Sequence, residues 1–526
     1  MPVLPPPSQL LGISKFPSWY EGQDATVSRM LDWYYSPARF LGMAAPTGSG
    51  KSLNALLLAK LSEARTAIIT ATKGLQEQYL IDAGLVDGVI VKGQNNFPCP
   101  LVPPLRADDG PCHEGIPCPL AKSDGCPYRV QLKRALDSNL IITNYAYYLA
   151  QTNFSSGLGD IDLLILDEGH LVFAQMENFL QIYISRTDVK SIGLTFPTVT
   201  DNWNSWRLWA DVSLPHARDR LSSLDGGIRE MRSFGGRAIP GSLSRAYRTV
   251  KSVVARLSSM SDACGEWVIQ QYAHSFRFTP LWVAGYGSSL FRDVPKVVIM
   301  SAILTPKAVD GLGIPSDNGS RAWLEVDSYF PPANTPIWHI PTARINYQTD
   351  GYGMTLWLSR IDQIIQRRLD RKGIVFTVSY DRARLLMQRS RFKDIMFCHS
   401  TDDVGYVVDR FKKARPPAVL VSPTVTTGWD FPGLNYIVVG KVPYPDTKDA
   451  VVHARHEQDD EWSSFTAMET VVQSSGRGTR SSDARCEVLI TDDNWRWFYP
   501  RYRKYAPKWF QDRVRGSLNS VPDPLV

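Results

Sequence analysis

"FLGMAAPTGSGKSLNALLLAK", residues 40–60, decides how the rest of the chain is read. An apolar run leads into a Gly-rich turn, and a helical pattern follows. This is the strand, loop and helix order of a P-loop. Gly48 and Gly50 let backbone N–H groups turn towards phosphate oxygens, with Thr47 and Ser49 in the same loop. The positive end of the following helix favours the anion. Lys51 is placed to reach the β- and γ-phosphates of ATP, and Ser52 to hold Mg²⁺. Ala45 stands where the general pattern has its first Gly. Upstream, Gln23 is either an adenine-reading amide or an ordinary surface side chain.

About 100 residues further on, residues 161–170 read "IDLLILDEGH". The run LLIL is a buried-strand signal that ends in two adjacent carboxylates. Asp167 at the strand end can bind Mg²⁺. Glu168 can orient and deprotonate an attacking water. His170 is placed to sense the γ-phosphate.

Three stretches of the second half complete the scheme. "KVVIMSAILTP" (296–306) predicts a buried strand ending at Ser301 and Ala302. "VLVSPTVTTGWDFPGLNYIVVGKVPYPD" (419–446) predicts two strands around a loop carrying Gly428 and Asp430. "VVQSSGRGTRSSDARCEVLITDD" (471–493) spaces Gln473, Arg477 and Arg480 by four and three residues. On one helix those steps share a face, where two arginines can neutralise charge on a γ-phosphate.

The bulk numbers are compatible with this. The 526 residues suggest about three or four domains. A hydrophobic content of 44% and a charged content of 21% predict globular packing and exclude long disorder. The net charge of +6 leans weakly towards a polyanionic partner. Apolar runs are strand-length, so no membrane span is expected. "MPVLPPPSQLLGISKFPSWY" lacks the pattern of a signal peptide, and an intracellular, reducing compartment is the expectation.

Four of the seven cysteines fall in "CPLVPPLRADDGPCHEGIPCPLAKSDGC" (99–126). The gaps between Cys99, Cys112, Cys118 and Cys126 are 12, 5 and 7 residues, with no CxxC knuckle. Spacing alone leaves a zinc site, an iron–sulfur cluster and no metal all open.

The motifs APTGSGKS, DEGH, SAIL, TTGWDF and QSSGRGTR, in that order, resemble a superfamily 2 helicase, and more specifically the XPD and DinG family of iron–sulfur helicases. "VKGQNNFPC" is similar to that family's approach to its first cluster cysteine. "CPYRVQLKRALDSNLIITNYAYYL" is similar to its fourth cysteine and the segment running to its DEAH box. The resemblance covers about residues 15–510 and is weak near 185–270. It implies an α/β protein with two RecA-like domains and a 4Fe–4S cluster on the four cysteines. It also implies ATP-driven movement 5′→3′ on single-stranded DNA, with forked DNA as substrate. A monomer is the expectation. Departures are Ile303 in place of a hydroxyl residue, and Gly169 in place of Ala in the DEAH box.

The implied domains are a first RecA-like domain (1–93, 131–175 and 276–330), a cluster domain (94–130), an arch-like insertion (176–275) and a second RecA-like domain (331–526). Within the insertion, Trp203, Trp206 and Trp209 are either a base-stacking platform or a helix face packed into a core. Residues 218–256 hold nine basic and three acidic residues, which line a nucleic-acid path or form a solvated face. "WRWFYPRYRKYAPKWFQDRVR" near the C-terminus mixes arginines and aromatics, either as a single-strand groove or as amphipathic packing. Two other functions stay in view: an ATP-dependent nucleic-acid clamp that does not separate strands, and a DEAH-type RNA helicase.

Overall fold

A computed structural model describes residues 4–71, 76, 79, 88–103, 105–114, 118–120, 123–155, 157–233, 241–316, 319–424, 429, 431–478 and 485–525. The strands of the first half are β1 (Phe40–Ala44), β2 (Thr66–Thr70), β3 (Val89–Ile90), β4 (Leu140–Asn144), β5 (Leu163–Asp167), β6 (Ile182–Ser185), β7 (Trp267–Tyr272), β8 (Ser275–Pro280), β9 (Lys296–Ser301) and β10 (Arg321–Glu325). Those of the second half are β11 (Ile337–Ala343), β12 (Lys372–Phe376), β13 (Met396–Cys398), β14 (Ala418–Ser422), β15 (Leu434–Val439), β16 (Glu487–Asp492) and β17 (Val514–Ser517).

Two parallel sheets carry the molecule. The first runs β10–β1–β9–β5–β2–β4–β3, and the second β13–β14–β12–β15–β16–β11–β17. The apolar runs of the sequence become central strands because a parallel sheet is covered by helices on both faces. All five residues of β1, β2, β5, β12 and β14 are buried. In the first sheet β1, β9 and β5 are neighbours, which brings the ends of the P-loop strand, the SAIL strand and the DEGH strand together. Ligand sites of open parallel sheets lie at such carboxyl ends.

Between β5 and β9 a smaller unit is inserted. It has a three-stranded antiparallel sheet, β6–β8–β7, and two long helices, Trp203–Ser233 and Gly241–Ser261. The tryptophan run belongs to its core. Trp206 is fully buried, and Trp203 stacks on Trp267 at 5.0 Å. The aromatic C-terminal stretch is packing as well: Trp495, Phe498, Tyr502, Tyr505, Trp509 and Phe510 are buried against the second sheet.

The motif near residue 473 differs from the expected single helix. Helix Trp462–Ser475 stops before Arg477, which sits in a 3₁₀ turn, Gly476–Gly478. Flanking glycines favour an end to the helix there. Gln473 and Arg477 therefore do not share one continuous helical face.

Candidate functional site

The P-loop has the predicted form. β1 ends at Ala44, Gly48 and Gly50 take φ of +82° and +75°, and a helix starts at Lys51. Gly50 is required twice over. Its φ is left-handed, and a Cβ there would lie 2.3 Å from Nε2 of Gln23. Lys51 folds back, and its Nζ donates to the carbonyls of Ala45 and Pro46 at 3.1 Å each.

Gln23 is fully buried beside this loop. Its Nε2 donates to Asn54 Oδ1 at 2.9 Å, and its Oε1 accepts from the Tyr20 N–H at 3.2 Å. It is not a surface side chain, and part of its amide capacity serves to brace the loop.

Asp167 is almost wholly buried at the end of β5. Its carboxylate accepts from Tyr79 Oη at 3.1 Å and from the Glu168 N–H at 2.9 Å, and Tyr145 Oη donates to its carbonyl at 2.8 Å. Burial, and then the neighbouring Glu168, push its carboxyl up to about 6, while Lys51 pulls the other way. Glu168 itself takes φ of +51°, a conformation rare outside glycine that is often held at functional turns. Gly169 follows because there is no room for more: a Cβ would lie 2.5 Å from Ile299 Cγ2 on β9.

His170 is the meeting point of both halves. Its Nδ1 lies 2.7 Å from Ser301 Oγ and 3.5 Å from Glu168 Oε2. Its Nε2 lies 3.1 Å from Nε2 of Gln473, on the second lobe. An amide nitrogen only donates, so His170 Nε2 is the bare nitrogen and Nδ1 carries the proton. Burial holds the imidazole pKa below its ordinary value, Arg477 and Lys51 add to this, and Glu168 opposes it.

Arg477 is buried at the same cleft, where it donates to the Trp429 carbonyl at 3.1 Å. A cavity of about 480 Å³ joins these groups. Its walls include Thr47, Gly48, Gly50, Lys51, Ser52, Asp167, Glu168, His170, Gln473 and Arg477. Ser49 is buried in the loop behind them. Gly428, Asp430 and Arg480 lie outside the described residues.

Helicase likeness can be read from chain and fold together. The family model described as helicase C-terminal domain matches residues 363–513. A solved XPD helicase superposes with a TM-score of 0.62 at 14% identity, over 95% of this chain and all of that one. The chain has an XPD-like fold. Xpd4 of S. tokodaii has the same XPD-like fold, with a TM-score of 0.60 at 13% identity over 94% of this chain and all of its own. A further structure, described as apo XPD, gives 0.54 at 15% identity over 95% and 100%. No curated protein matches the sequence. The two sheets of the XPD-like fold are its two RecA-like domains, and the P-loop and the DEGH turn face Arg477 across the cleft between them.

Sequence reasoning passed over Tyr79 and Trp509. Tyr79 orients Asp167 from 88 residues away and belongs to no motif. Trp509, from the C-terminal stretch, lines the cavity, and its Nε1 donates to the Ala302 carbonyl at 2.8 Å.

The four clustered cysteines line one small cavity of about 50 Å³, together with Leu101, Leu120 and Tyr128. A Cβ on Gly110 would lie 3.2 Å from Cys99 Sγ and 3.6 Å from Cys112 Sγ. Burial, with Cys118 and Cys99 nearby, holds the Cys112 thiol above its ordinary pKa. Among the described residues no three Cys, His, Asp or Glu groups are close enough together to hold one ion. On the adjoining insertion, Arg245, Arg248 and Arg256 line a shallow cleft on one face of helix Gly241–Ser261. Arg248 reaches Asp109 of the cysteine segment at 3.3 Å, and Arg256 pairs with Asp188 at 2.8 Å.

Proposed function

We propose that the protein is an ATP-driven helicase and translocase on single-stranded DNA, moving 5′→3′ and unwinding forked duplexes. The observation that carries this is the convergence of Lys51, Ser52, Asp167, Glu168 and Arg477 on one cavity between two lobes. Lys51 leaves the Ala45 and Pro46 carbonyls for the β- and γ-phosphates. Ser52 and Asp167 would hold Mg²⁺, which neutralises phosphate charge when bound. Glu168 takes the proton of the water that attacks the γ-phosphorus, ADP leaves, and Arg477, with Arg480, stabilises charge on the transferred group. Gln23 would read the adenine, and the resemblance assigns Gly428 and Asp430, outside the described residues, to nucleotide binding. His170, bonded to Ser301 and Gln473, reports the state of the cleft to both lobes, and cycles of closure move the strand.

Cys99, Cys112, Cys118 and Cys126 would hold a 4Fe–4S cluster. Four soft thiols around one small cavity, with Gly110 leaving room for the sulfurs, suit a cube whose irons each take one thiolate. The cysteine segment then acts as a rigid brace, tied to the basic insertion through Asp109 and Arg248. In this reading the protein is an intracellular monomer, and DNA rather than RNA is the substrate because of this segment.

Ile303, which has no hydroxyl, favours a second reading: an ATP-dependent clamp that grips nucleic acid without parting strands. Strand displacement on a forked duplex with a 5′ tail separates the two, and stimulation by single-stranded DNA or RNA tests the substrate. Lys51→Ala is expected to abolish hydrolysis and unwinding while the protein still melts cooperatively. Undiminished hydrolysis in that variant overturns the assigned site.

A further inference from the structure

One arginine of the second lobe holds both stems of the insertion. Arg455, on helix Ala450–Gln458, is buried. Its Nε donates to the Leu281 carbonyl at 2.9 Å, and its Nη2 donates to the Pro280 carbonyl at 3.3 Å and to Glu177. Pro280 ends β8, the strand by which the chain leaves the insertion. Glu177 lies on helix Val172–Leu180, which follows the DEGH turn and leads into β6, the first strand of the insertion. β6 and β8 pair with each other, Ile182 against Phe278, so the two stems form one body. The guanidinium also lies 4.8 Å from the ring centre of Phe173 and 5.8 Å from that of Trp282, one ring on each stem, and 5.3 Å from Trp462 of its own lobe.

Contacts along the same helix run the same way. Gln458 Oε1 accepts from Trp282 Nε1 at 2.7 Å, and its Nε2 donates to Glu266 at 2.6 Å. At the other end of the helix, Gln270 of β7 donates to Asp449 at 3.4 Å. The far side of the insertion is held differently. The Arg248–Asp109 pair that reaches the cysteine segment is exposed at both residues, where water screens it.

Between Arg455 and the His170–Gln473 contact lies a cavity of about 530 Å³, lined also by Ile303 and Glu469. The lobes are thus packed tightly at the arginine and loosely beside the nucleotide cleft. That leaves room for the cleft to close with the arginine as its fixed point.

We propose that Arg455 is a positioning residue that makes the insertion travel with the second lobe when nucleotide closes the cleft. This rests on the reading of the cleft as an ATP site. A buried guanidinium bonded to both stems cannot slide along them without leaving two carbonyls and Glu177 unpaired. A rigid-body shift of its helix therefore carries the stems along, and the β7–β8 hairpin turns against the first sheet. Lysine is no substitute, because a single ammonium lacks the planar fork that serves several acceptors while stacked on rings.

Hydrogen–deuterium exchange on the full-length protein reads this. A non-hydrolysable ATP analogue is expected to slow exchange in the P-loop and to change exchange in the β7–β8 hairpin by about threefold or more. In Arg455→Gln the loop is expected to respond as in wild type, while the response of the hairpin disappears. Arg455→Lys, which keeps the charge, is expected to lose it too. A merely structural role would raise hairpin exchange equally with and without the analogue. Glu177→Gln keeps the buried arginine and its carbonyl bonds, so it guards against a folding defect in the other variants, and it is expected to weaken the hairpin response by about twofold. The proposal alone is overturned if the wild-type loop responds and the hairpin does not, or if the hairpin of Arg455→Gln responds as in wild type. An analogue that protects neither segment overturns the ATP-site reading and this proposal with it.

Discussion

Gln473 and His170 are joined across the cleft, amide nitrogen to Nε2, at 3.1 Å. The same imidazole holds Ser301 Oγ at 2.7 Å through its other nitrogen. One ring thus touches the DEGH turn, the SAIL strand and the second lobe. Gln473→Ala removes the only side-chain donor on His170 Nε2 among the described residues and leaves that nitrogen buried. The expected result is a fall of about tenfold in nucleic-acid-stimulated hydrolysis, with nucleotide affinity reduced far less, since coupling between sites is typically about 1–3 kcal/mol. Steady-state ATPase assays with and without single strands read this directly.

Gly169 gives a second expectation. The family box has Ala at this place, yet here an added methyl would sit 2.5 Å from Ile299 Cγ2. Ile299 is fully buried and β-branched, so it cannot swing aside cheaply. Gly169→Ala is expected to cost about 1–3 kcal/mol by overpacking. It is also expected to lower hydrolysis, because Glu168 and His170 flank the strained turn. Urea unfolding and ATPase rates check the two effects separately.

Glu469 sets a pH dependence. Burial pushes its carboxyl from 4.5 up to about 8. The charged groups around its cavity are the Lys307–Asp459, Arg455–Glu177 and Arg321–Asp310 pairs and His170. Between these values the folded state keeps a proton that the unfolded chain has lost, so the contribution of Glu469 to stability is full below about pH 4.5 and is lost as pH rises towards about 8. Because the residue is partly exposed, the slope is expected to be at most about 1 kcal/mol per pH unit. Glu469→Gln is expected to flatten that segment in denaturation curves taken across the range.

What was legible in the sequence was chemistry that needs neighbouring residues. A phosphate loop must be spelled by Gly48, Gly50, Lys51 and Ser52 in a row, and Asp167 must end an apolar run to stand at a strand tip. Contacts that close over long separations leave no such pattern. Tyr79 reaches Asp167 across 88 residues, and Trp509 reaches Ala302 across 207. The spacing of Gln473 and Arg477 predicts one helical face, while the glycines at 476 and 478 turn the chain out of the α-helix. The tryptophan run leaves two readings open, and partners some sixty to seventy residues on, Trp267 against Trp203 and Phe276 and Phe278 against Trp206, settle it as core.

Ile303 is where sequence and structure meet most usefully. The missing hydroxyl reads as a defect in a motif that normally links the lobes. In the fold, Ile303 is buried within the apolar cluster of the second lobe, and the carbonyl before it is held by Trp509 Nε1. The link is therefore apolar, with one hydrogen bond beside it. Ile303→Thr, which restores the family hydroxyl, would bury a polar group where the neighbours are hydrophobic. It is expected to destabilise the protein by about 1–3 kcal/mol and to lower stimulated hydrolysis rather than raise it. Trp509→Phe leaves the Ala302 carbonyl without its donor, at a similar cost of about 1–3 kcal/mol. The two residues grip adjacent positions of one segment, so the double variant is expected to lose less than the sum of the singles. A double-mutant cycle by urea denaturation measures this. Full additivity would mean that Ile303 and Trp509 hold the SAIL segment independently, and a hydroxyl at 303 that raises unwinding per ATP would mean that the apolar contact does not couple the lobes.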